Sequence, residues 1–566
     1  MNQFTTFSEI EYVRPNFDEA KTLYEALCTR VENAKSYADV RACILEEETF
    51  SSKINTMATV ATIRHTVDTS DPFYEAEEAY VNRAYPELMS YAQAFNLALL
   101  RSPFRTDIDE EYGTQFLKSV QLQADSFVEE NVPLMQEENE LTTRYQKLTA
   151  TCKIEFDGGE HNLYGIMKYF SDPDREVRKN AAKKYAEFFE QNDEELGEIF
   201  DRLVKIRHQM GVNMGFENFI PLGYMQQGRL DYGKDDVAQF RRQVLEEIVP
   251  FCDALYKAQA KRIGVDKIRF YDEQLIFLDG NAVPVGGREY LVKRAQEMYR
   301  DMSKETGEFI DYMIEHDLMD LDNKPNKAST GYMTTLNDYK APFVYSCFNG
   351  TTGDVDVLTH EMGHAFAGYV AMRTQPLQAL WSEPTDIAEI HSMAMEQFAY
   401  PYAELFFGEK ADKYRFQHLQ EALTFVPFGV AVDEFQHIVY EQPNLTPDER
   451  TAVWRELEKK YMPWRDYGED NAFFEKGGWW YHKLHIYHYP FYYINYTLTT
   501  MGALEFKKKM AMDKSACWKD YQKLCEIGGS LGYKDALRTA NLAIPFEEGG
   551  VKRAVSYAMD ILKKQL

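Results

Sequence analysis

The stretch that decides the fold reads His360-Glu361-Met362-Gly363-His364. Apolar residues recur around it at intervals of three and four, at Val355, Leu358, Met362, Ala365 and Tyr369. This period predicts an α-helix with one buried face. The two histidines would then lie one turn apart on the same side, where both imidazoles can reach one zinc ion. Glu361 would project beside them, within reach of a water on the metal but not itself a ligand.

The ends of this helix and its glycines carry further predictions. Asp354 is predicted to cap its start, and Pro376 lies shortly after its predicted end. Gly363 and Gly368 each cost about 1 kcal/mol relative to alanine inside a helix. We therefore expect another backbone to pack closely at both glycines.

A catalytic zinc site needs a third protein ligand and one position left for water. After Pro384 the composition and period predict a second helix, on which Glu389 lies 25 residues beyond His364. That separation allows the first helix to end and the chain to return on the second. Glu389 is therefore the predicted third ligand.

The face of the second helix that carries Glu389 also carries Asp386 and Glu396. These two carboxylates are candidate acceptors for the free N–H groups of zinc-binding imidazoles. A solvated acidic face is the alternative interpretation. His391 lies about 200° round the helix from Glu389, so it is not predicted to be a ligand.

A strand is predicted directly before the metal-binding helix. Residues Ala341 to Phe348 are rich in β-branched and aromatic side chains, and they end at the turn signal Asn349-Gly350. At the edge of a sheet, such a strand could hold an extended peptide by main-chain hydrogen bonds. An ordinary core strand is the alternative.

Length and composition describe a large globular protein. The chain has 566 residues, of which 45% are hydrophobic and 14% aromatic, enough for two or more lobes. We place a boundary in the polar stretch near residue 195, giving an N-terminal helical lobe over 1–195 and a catalytic lobe over 196–566. The 63 basic minus 91 acidic residues give a net charge of −28. That charge disfavours nucleic-acid binding and mildly favours cationic substrates, although a dispersed acidic surface is the commoner explanation.

The compartment is predicted from the cysteines and the apolar runs. Seven cysteines are scattered without a close pair, which is typical of free thiols in a reducing compartment. The first residues lack the basic start and apolar run of a signal peptide. There is no apolar stretch of 18 residues, so we expect no membrane span and a cytoplasmic location.

A stretch near the C-terminus, residues 479–496, is dense in histidine and tyrosine. An apolar core segment would more usually contain phenylalanine and leucine, because each buried phenol must find a hydrogen-bond partner. Phenols and imidazoles are neutral donors at pH 7 and suit a developing oxyanion. A well-satisfied aromatic core is the alternative.

Together these segments resemble a known family. The motif at residues 360–364, the segment from Ser382 to Glu396 with Glu389, and the segment from His485 to Tyr496 are similar to the oligoendopeptidase F group of the thimet-oligopeptidase-like zinc metallopeptidases. The similar layout covers most of the chain. The metal motifs are specific, whereas the spacing of the histidine and tyrosine segment varies within the family.

The resemblance implies a mainly α, two-lobed, helical zincin-type metallopeptidase with a deep substrate channel and a small β-sheet beside the metal helix. It implies one Zn²⁺ per chain and internal cleavage of short unstructured peptides, with folded proteins excluded. By the same resemblance, His485, Tyr492 and Tyr496 would contact the substrate or the oxyanion. His488 would replace His485 if the register is shifted.

The chemistry expected of such a site is attack of a metal-activated water on the peptide carbonyl, with Glu361 as general base. The predicted function is therefore a zinc-dependent metalloendopeptidase acting on short peptides, without nucleic-acid or membrane partners. Two alternatives are an exopeptidase of similar fold, of the carboxypeptidase or dipeptidase type, and a peptide-binding protein without turnover. The presence of Glu361 argues against the second.

Overall fold

The computed structural model of the chain describes residues 6–328, 331–469, 471–564 and 566. These residues are mainly α-helical, as predicted, and the helices in chain order are α1 Phe17–Glu32, α2 Tyr37–Val67, α3 Pro72–Arg101, α4 Arg105–Tyr112, α5 Thr114–Asp125, α6 Val132–Ala150, α7 Leu163–Met167, α8 Arg175–Gln191, α9 Asp193–Asn213, α10 Ile220–Gln226, α11 Lys234–Gln243, α12 Val249–Ile263, α13 Arg288–Met302, α14 Lys304–Glu315, α15 Thr352–Thr374, α16 Thr385–Ala399, α17 Ala403–Phe407, α18 Ala411–Glu441, α19 Pro447–Tyr461, α20 Ala472–Glu475, α21 Leu484–His488, α22 Ile494–Met512, α23 Lys514–Ile527, α24 Tyr533–Thr539 and α25 Gly550–Lys563. The strands are β1 Ile154–Phe156, β2 Gly159–His161, β3 Met319–Asp320, β4 Tyr332–Leu336 and β5 Ala341–Tyr345. Within the described part of the chain, no helix has the length and apolar character that crossing a bilayer requires.

The chain forms two compact units, and each draws on three separate stretches of sequence. Unit 1 comprises Met1–Asp125, Val283–Ala411 and Phe506–Leu542. Unit 2 comprises Ser126–Ala282, Asp412–Glu505 and Ala543–Leu566. The lobes predicted over 1–195 and 196–566 divide the chain by function, and that division stays a prediction.

The predicted strand before the metal helix exists, but it is the central strand of a small sheet in unit 1. The strand order is β3-β5-β4, with β5 parallel to β3 and antiparallel to β4. All of Ala341–Tyr345 is buried, as expected for an apolar strand paired on both sides. The prediction of a peptide-binding edge at this strand is therefore wrong, because β3 and β4 already pair with both of its edges.

The metal helix α15 begins three residues earlier than the capping prediction requires, with Thr351 as its N-cap residue. Asp354 is the third residue of α15, and its carboxylate accepts hydrogen bonds from the backbone N–H groups of Asn349, at 2.9 Å, and Gly350, at 2.8 Å. Asp354 is thus not the N-cap residue. It stabilises the turn that leads from β5 into the helix instead.

A close crossing of α15 and α16 explains Gly363. A Cβ atom at this position would lie 2.6 Å from the Cα of Ser392 and 2.8 Å from the carbonyl oxygen of His391. Gly363 therefore lets the two helices approach closely enough for their side chains to meet, as predicted. At Gly368 the prediction of a close backbone is wrong, since the nearest atom is the Cε of Met333 at an ordinary 3.7 Å.

Each unit has its own apolar core. In unit 1 the N-terminal helices α1 to α5 share a core that includes Leu377 and Leu380, which follow α15 directly. In unit 2 the rings of Phe200, Phe435 and Trp480 pack on one another, with centroids 4.8–6.1 Å apart. The first core supports the end of the metal helix, and the second supports the segment rich in histidine and tyrosine.

Candidate metal centre

His360, His364 and Glu389 converge in unit 1. The Oε2 atom of Glu389 lies 3.3 Å from Nε2 of His360 and 3.5 Å from Nε2 of His364. The three donor atoms lie within 4.8 Å of one another, and each residue is partly buried. This arrangement follows directly from the fold, because the histidines lie one turn apart on α15 and the Gly363 crossing brings α16 against them.

The second nitrogen of His360 is held by Glu396. Its Nδ1 lies 2.6 Å from Oε1 of Glu396, which is on α16 two turns after Glu389. A carboxylate at Nδ1 fixes both the ring orientation and the tautomer that leaves Nε2 free to bind a metal. The structure thus gives Glu396 the contact predicted for it. Asp386 is buried in the first turn of α16, and its predicted role stays a prediction.

The electrostatics of the group favour a carboxylate beside two imidazoles. Burial alone would raise the pKa of Glu389, but hydrogen bonds from His360 and His364 outweigh it and hold that pKa well below its usual range. Burial alone would lower the pKa of His360, but contacts with Glu389 and Glu396 raise it well above its usual range. Both shifts have the same cause, which is the close contact between imidazole and carboxylate groups.

The donor set fits a zinc ion. Two imidazole nitrogens and one carboxylate oxygen are a known ligand set of catalytic zinc sites, which leave a fourth position for water or substrate. The carboxylate at Nδ1 of His360 is the outer contact that such a histidine ligand usually has. Glu361 follows His360 on α15 and is partly buried, outside the group of three donors.

His391 lies away from this group, as predicted from its position on α16. Its side chain is fully buried, with Nε2 3.1 Å from Oε1 of Glu383. Its Nδ1 lies 3.6 Å from the Sγ of Cys525. Burial alone would raise the pKa of Glu383, but the facing His391 ring lowers it. No role was predicted for Glu383, and its partner His391 lies eight residues later in the chain, on α16.

The segment rich in histidine and tyrosine belongs to unit 2 and forms a turn between α21 and α22. Phe491 at this turn has φ of 62°, in the left-handed region that a bulky residue rarely adopts. Its backbone N–H donates to Oε1 of Gln436 at 2.7 Å, and its carbonyl accepts from Arg229 at 2.5 Å. These buried contacts hold an unfavourable backbone conformation, as often happens near functional residues.

Within unit 2, His485 rather than His488 lies with the predicted tyrosines. The His485 ring centroid is 5.8 Å from that of Tyr492 and 6.0 Å from that of Tyr496. The His488 ring instead lies 5.9 Å from Tyr145 on α6. His485, Tyr492 and Tyr496 are each partly accessible to solvent. Their roles as substrate contacts stay predictions.

The imidazole of His485 is neutral at pH 7. Burial, together with the charges of Lys483 and His488, lowers its pKa to about 4. A neutral imidazole donates or accepts a hydrogen bond without carrying a charge into the site. Tyr493, next to Tyr492 in the chain, is buried and packs with its centroid 5.0 Å from His485. Its phenol is therefore turned into the core, unlike those of Tyr492 and Tyr496.

Comparisons with known families agree with this geometry. The profile of the peptidase M3 N-terminal domain matches residues 7–127, and that of peptidase family M3 matches residues 301–555. The second match contains both α15 and α16. Comparison with curated proteins gives no match.

Solved structures match over the whole chain. An X-ray structure at 3.1 Å assigned to oligoendopeptidase F is 41% identical, with a TM-score of 0.89 and 99% of both chains covered. The structure of PZ peptidase A with an inhibitor is 42% identical, with a TM-score of 0.89 and the same coverage. A structure from Bacillus anthracis assigned to oligoendopeptidase F is 39% identical, with a TM-score of 0.85, covering 100% of this chain and 99% of its own.

The chain belongs to peptidase family M3. It is a peptidase, and its substrates are peptides. The predicted resemblance to oligoendopeptidase F is confirmed by the similarity of the solved structures. The predicted mainly α fold, with a small sheet beside the metal helix, is confirmed as well.

Proposed function

We propose that this protein is a zinc-dependent oligoendopeptidase that hydrolyses internal bonds of short unstructured peptides. The observation that carries the proposal is the convergence of His360, His364 and Glu389 on one point between α15 and α16. Membership of a peptidase family and similarity to structures assigned to oligoendopeptidase F support the same conclusion.

The metal would be held by the two Nε2 atoms and the Glu389 carboxylate. A zinc ion held by these residues would supply Lewis acidity toward the scissile carbonyl and would lower the pKa of a water molecule toward neutral. Glu396 keeps the His360 ring oriented through its Nδ1 atom. Glu389 stays ionised because two imidazoles face it.

Glu361 is the proposed general base. Its carboxylate takes a proton from the attacking water and then passes that proton to the nitrogen of the leaving amine. Its place on α15, directly after His360 and outside the donor group, supports this role. The carboxylate acts as an acceptor first and as an acid second, so one residue serves both proton transfers.

His485, Tyr492 and Tyr496 are proposed to contact the substrate and to donate hydrogen bonds to the developing oxyanion. They share one partly solvent-accessible patch of unit 2, and burial and nearby positive charge keep His485 neutral. Donors of this kind stabilise a transition state when they are fixed before the reaction begins. The Phe491 turn, with its buried contacts to Gln436 and Arg229, supports that rigidity.

A cytoplasmic location is part of the proposal. All seven cysteines are free, and five of them are buried. Free thiols are typical of proteins from reducing compartments. The acidic net charge of −28 supports peptides rather than nucleic acid as partners.

The test is digestion of a peptide blocked at both ends, followed by mass spectrometry of the products. An endopeptidase cuts the blocked peptide at an internal bond. Cleavage only of unblocked peptides, at one end, would instead identify an exopeptidase, and binding without cleavage would identify a peptide-binding protein. The matched control is Glu361→Gln, which keeps the metal ligands and should cut poorly.

The size limit is tested in the same assay. A short denatured peptide should be cut, while a folded protein and a long unfolded protein should survive. Rapid degradation of a long casein-like chain would contradict the proposed restriction to short peptides.

A further inference from the structure

Glu421 lies on the same side of α18 as the aromatic residues that pack against the proposed substrate contacts. Phe425 is four residues later and Phe428 seven residues later, so all three project from one face of the helix. The Phe425 ring centroid is 5.6 Å from Tyr493 and 6.4 Å from Tyr496. Glu421 is therefore one helical turn from a ring that touches Tyr496.

The two helices that form this surface, α18 and α22, pack closely against each other. A Cβ atom on Gly429 of α18 would lie 2.2 Å from the Cγ2 of Thr497 on α22, so these helices cross in direct contact. Thr497 follows Tyr496 in the chain. The position of Glu421 relative to Tyr496 is thus set by helix packing within unit 2, rather than by a loose loop.

The side chains along this surface remain accessible to solvent. Phe425, Tyr492, Tyr496 and His485 are partly accessible, and Glu421 is exposed. The buried residues Leu423 and Val426 lie on the opposite side of α18, in the core. A ligand that contacts Tyr496 and Phe425 can therefore reach Glu421 without any rearrangement of the helix.

The Glu421 carboxylate has no lysine or arginine partner among the described residues, and the basic side chain that acts on it is His418, three residues earlier on α18. The carboxylate accepts a hydrogen bond from the Gln417 amide at 3.1 Å, and no described lysine or arginine forms an ion pair with it. Desolvation by the surrounding protein raises its pKa, an effect only partly offset by His418 and Gln417. A cation that approaches this exposed carboxylate would offset the cost of its desolvation.

We propose that Glu421 binds a cationic group of the peptide substrate, either a lysine or arginine side chain or the N-terminal ammonium, and so determines the charge preference of the enzyme. The inference rests on the proposed function, because it takes the surface around Tyr496 to be where substrate binds. The feature that would recognise the cation is an aromatic surface with one carboxylate that pairs with no described lysine or arginine. A guanidinium or an ammonium group can bind the carboxylate by a charge-assisted hydrogen bond and can also lie over the face of an aromatic ring.

The experiment compares matched internally quenched peptides with the zinc-loaded enzyme. One peptide carries lysine and the other norleucine at the same position, and each is made with a free and an acetylated N-terminus. We expect wild type to prefer the cationic peptide by about tenfold in kcat/KM, the size expected for a charge-assisted hydrogen bond. In Glu421→Gln the ratio of kcat/KM for the lysine peptide to that for the norleucine peptide should fall to near one. In Glu421→Lys the preference should reverse, so that a third peptide with glutamate at the same position is cut best.

The pattern across the peptides identifies the source of the cation. Loss of preference confined to peptides with a free N-terminus assigns the site to the ammonium, and loss that follows lysine assigns it to the side chain. Glu456→Gln removes an exposed carboxylate on α19 and serves as the charge-matched control, which should keep the wild-type ratio. A wild-type ratio near one, or a ratio unchanged in Glu421→Gln, overturns the inference.

A binding measurement separates this inference from the proposed function. Dissociation constants of the same peptides are measured by fluorescence anisotropy in a Glu361→Gln background, with and without Glu421→Gln. If wild type cuts none of the peptides, the proposed function fails, and the ratio of dissociation constants still decides the role of Glu421. About tenfold tighter binding of the cationic peptide than of the norleucine peptide, lost when Glu421→Gln is added, supports the inference. The same preference with and without Glu421→Gln overturns it.

Discussion

The metal centre in unit 1 and the aromatic surface in unit 2, formed by His485, Tyr492 and Tyr496, hold their side chains in place by different means. Around His360, polar contacts of 2.6 Å to Glu396 and 3.3 Å to Glu389 fix the ring from both nitrogens. Around His485, four tyrosine rings pack with centroids 5.0–6.0 Å away, and no ion pair with another described residue directs the imidazole. Directional contacts specify individual atoms, whereas ring packing specifies only a shape. We therefore expect substitutions at the first region to have the larger effects.

Removal of a metal ligand should break the first region most severely. Glu389→Ala deletes one of three donors, so zinc affinity should fall by more than in Glu396→Ala, for which about 10–100-fold is expected. Competition of the purified variants against a chelator measures both affinities. Full zinc occupancy in Glu389→Ala under competing chelator would move the third ligand elsewhere.

Loss of the proposed base should abolish turnover while sparing the metal. Glu361→Gln keeps the size of the side chain and removes its proton acceptor, so kcat/KM should fall at least about 10²-fold, the usual scale of general acid–base catalysis. Metal analysis on the same sample should show wild-type zinc content. Near-wild-type turnover in the zinc-loaded variant would remove Glu361 from the mechanism.

The aromatic surface is tested by deleting single phenol oxygens. Tyr496→Phe should lower kcat by about 10²–10³-fold with little change in KM, because an oxyanion donor acts mainly in the transition state. Tyr493→Phe is the matched control, since its ring packs 5.5 Å from Tyr496 but is buried. If both variants are equally active, the surface is only an aromatic core, and the oxyanion donors must be sought in Tyr492 or His485.

The smallest effect concerns pH and stability at the edge of the aromatic surface. Burial and the charge of Lys483 lower the pKa of His482 to about 3, below its value of about 6.5 in an unfolded chain. Between these values the unfolded chain binds a proton that the folded protein does not, so the free energy of unfolding falls as pH decreases from about 6.5 towards 3. Above pH 6.5 this contribution is fully present.

Denaturant unfolding of wild type and His482→Gln across pH 4–8 measures this contribution by difference. The variant should lose less stability than wild type on acidification, because it cannot take up that proton. Parallel pH profiles for the two proteins would show that His482 titrates alike in the folded and unfolded states.

The same contrast explains how much could be predicted from the sequence. The His360–His364 spacing is a local consequence of helical geometry, and Glu389 was predicted because its separation from His364 lets the chain return on a second helix. The structure brings all three together. Glu396 was predicted only as one of two candidates, because its reach to His360 depends on the crossing at Gly363. The strand β5 was predicted correctly, but its place at the edge of a sheet was not, because β5 is the central strand. Its partner β3 is only two residues long, which is too short to predict from sequence.

The second region was harder to predict because it depends on contacts between distant segments. Whether His485 or His488 joins Tyr492 and Tyr496 is decided by the Phe491 turn, whose left-handed backbone has no sequence signal in a phenylalanine. Glu421 gave no signal at all, because the contact between Phe425, one turn along α18, and Tyr496 follows from the packing of α18 on α22. The division into two compact units could not be predicted from local sequence patterns for the same reason, because each unit is assembled from three separate stretches of the chain.

The central claim, a single catalytic zinc between α15 and α16, is tested most directly by titrating metal-free enzyme with zinc while measuring cleavage of the doubly blocked peptide. We predict no cleavage without metal and a rate that rises in proportion to zinc until one ion per chain is bound. Undiminished cleavage by the metal-free protein, or a rate that reaches its plateau at another stoichiometry, would contradict the account.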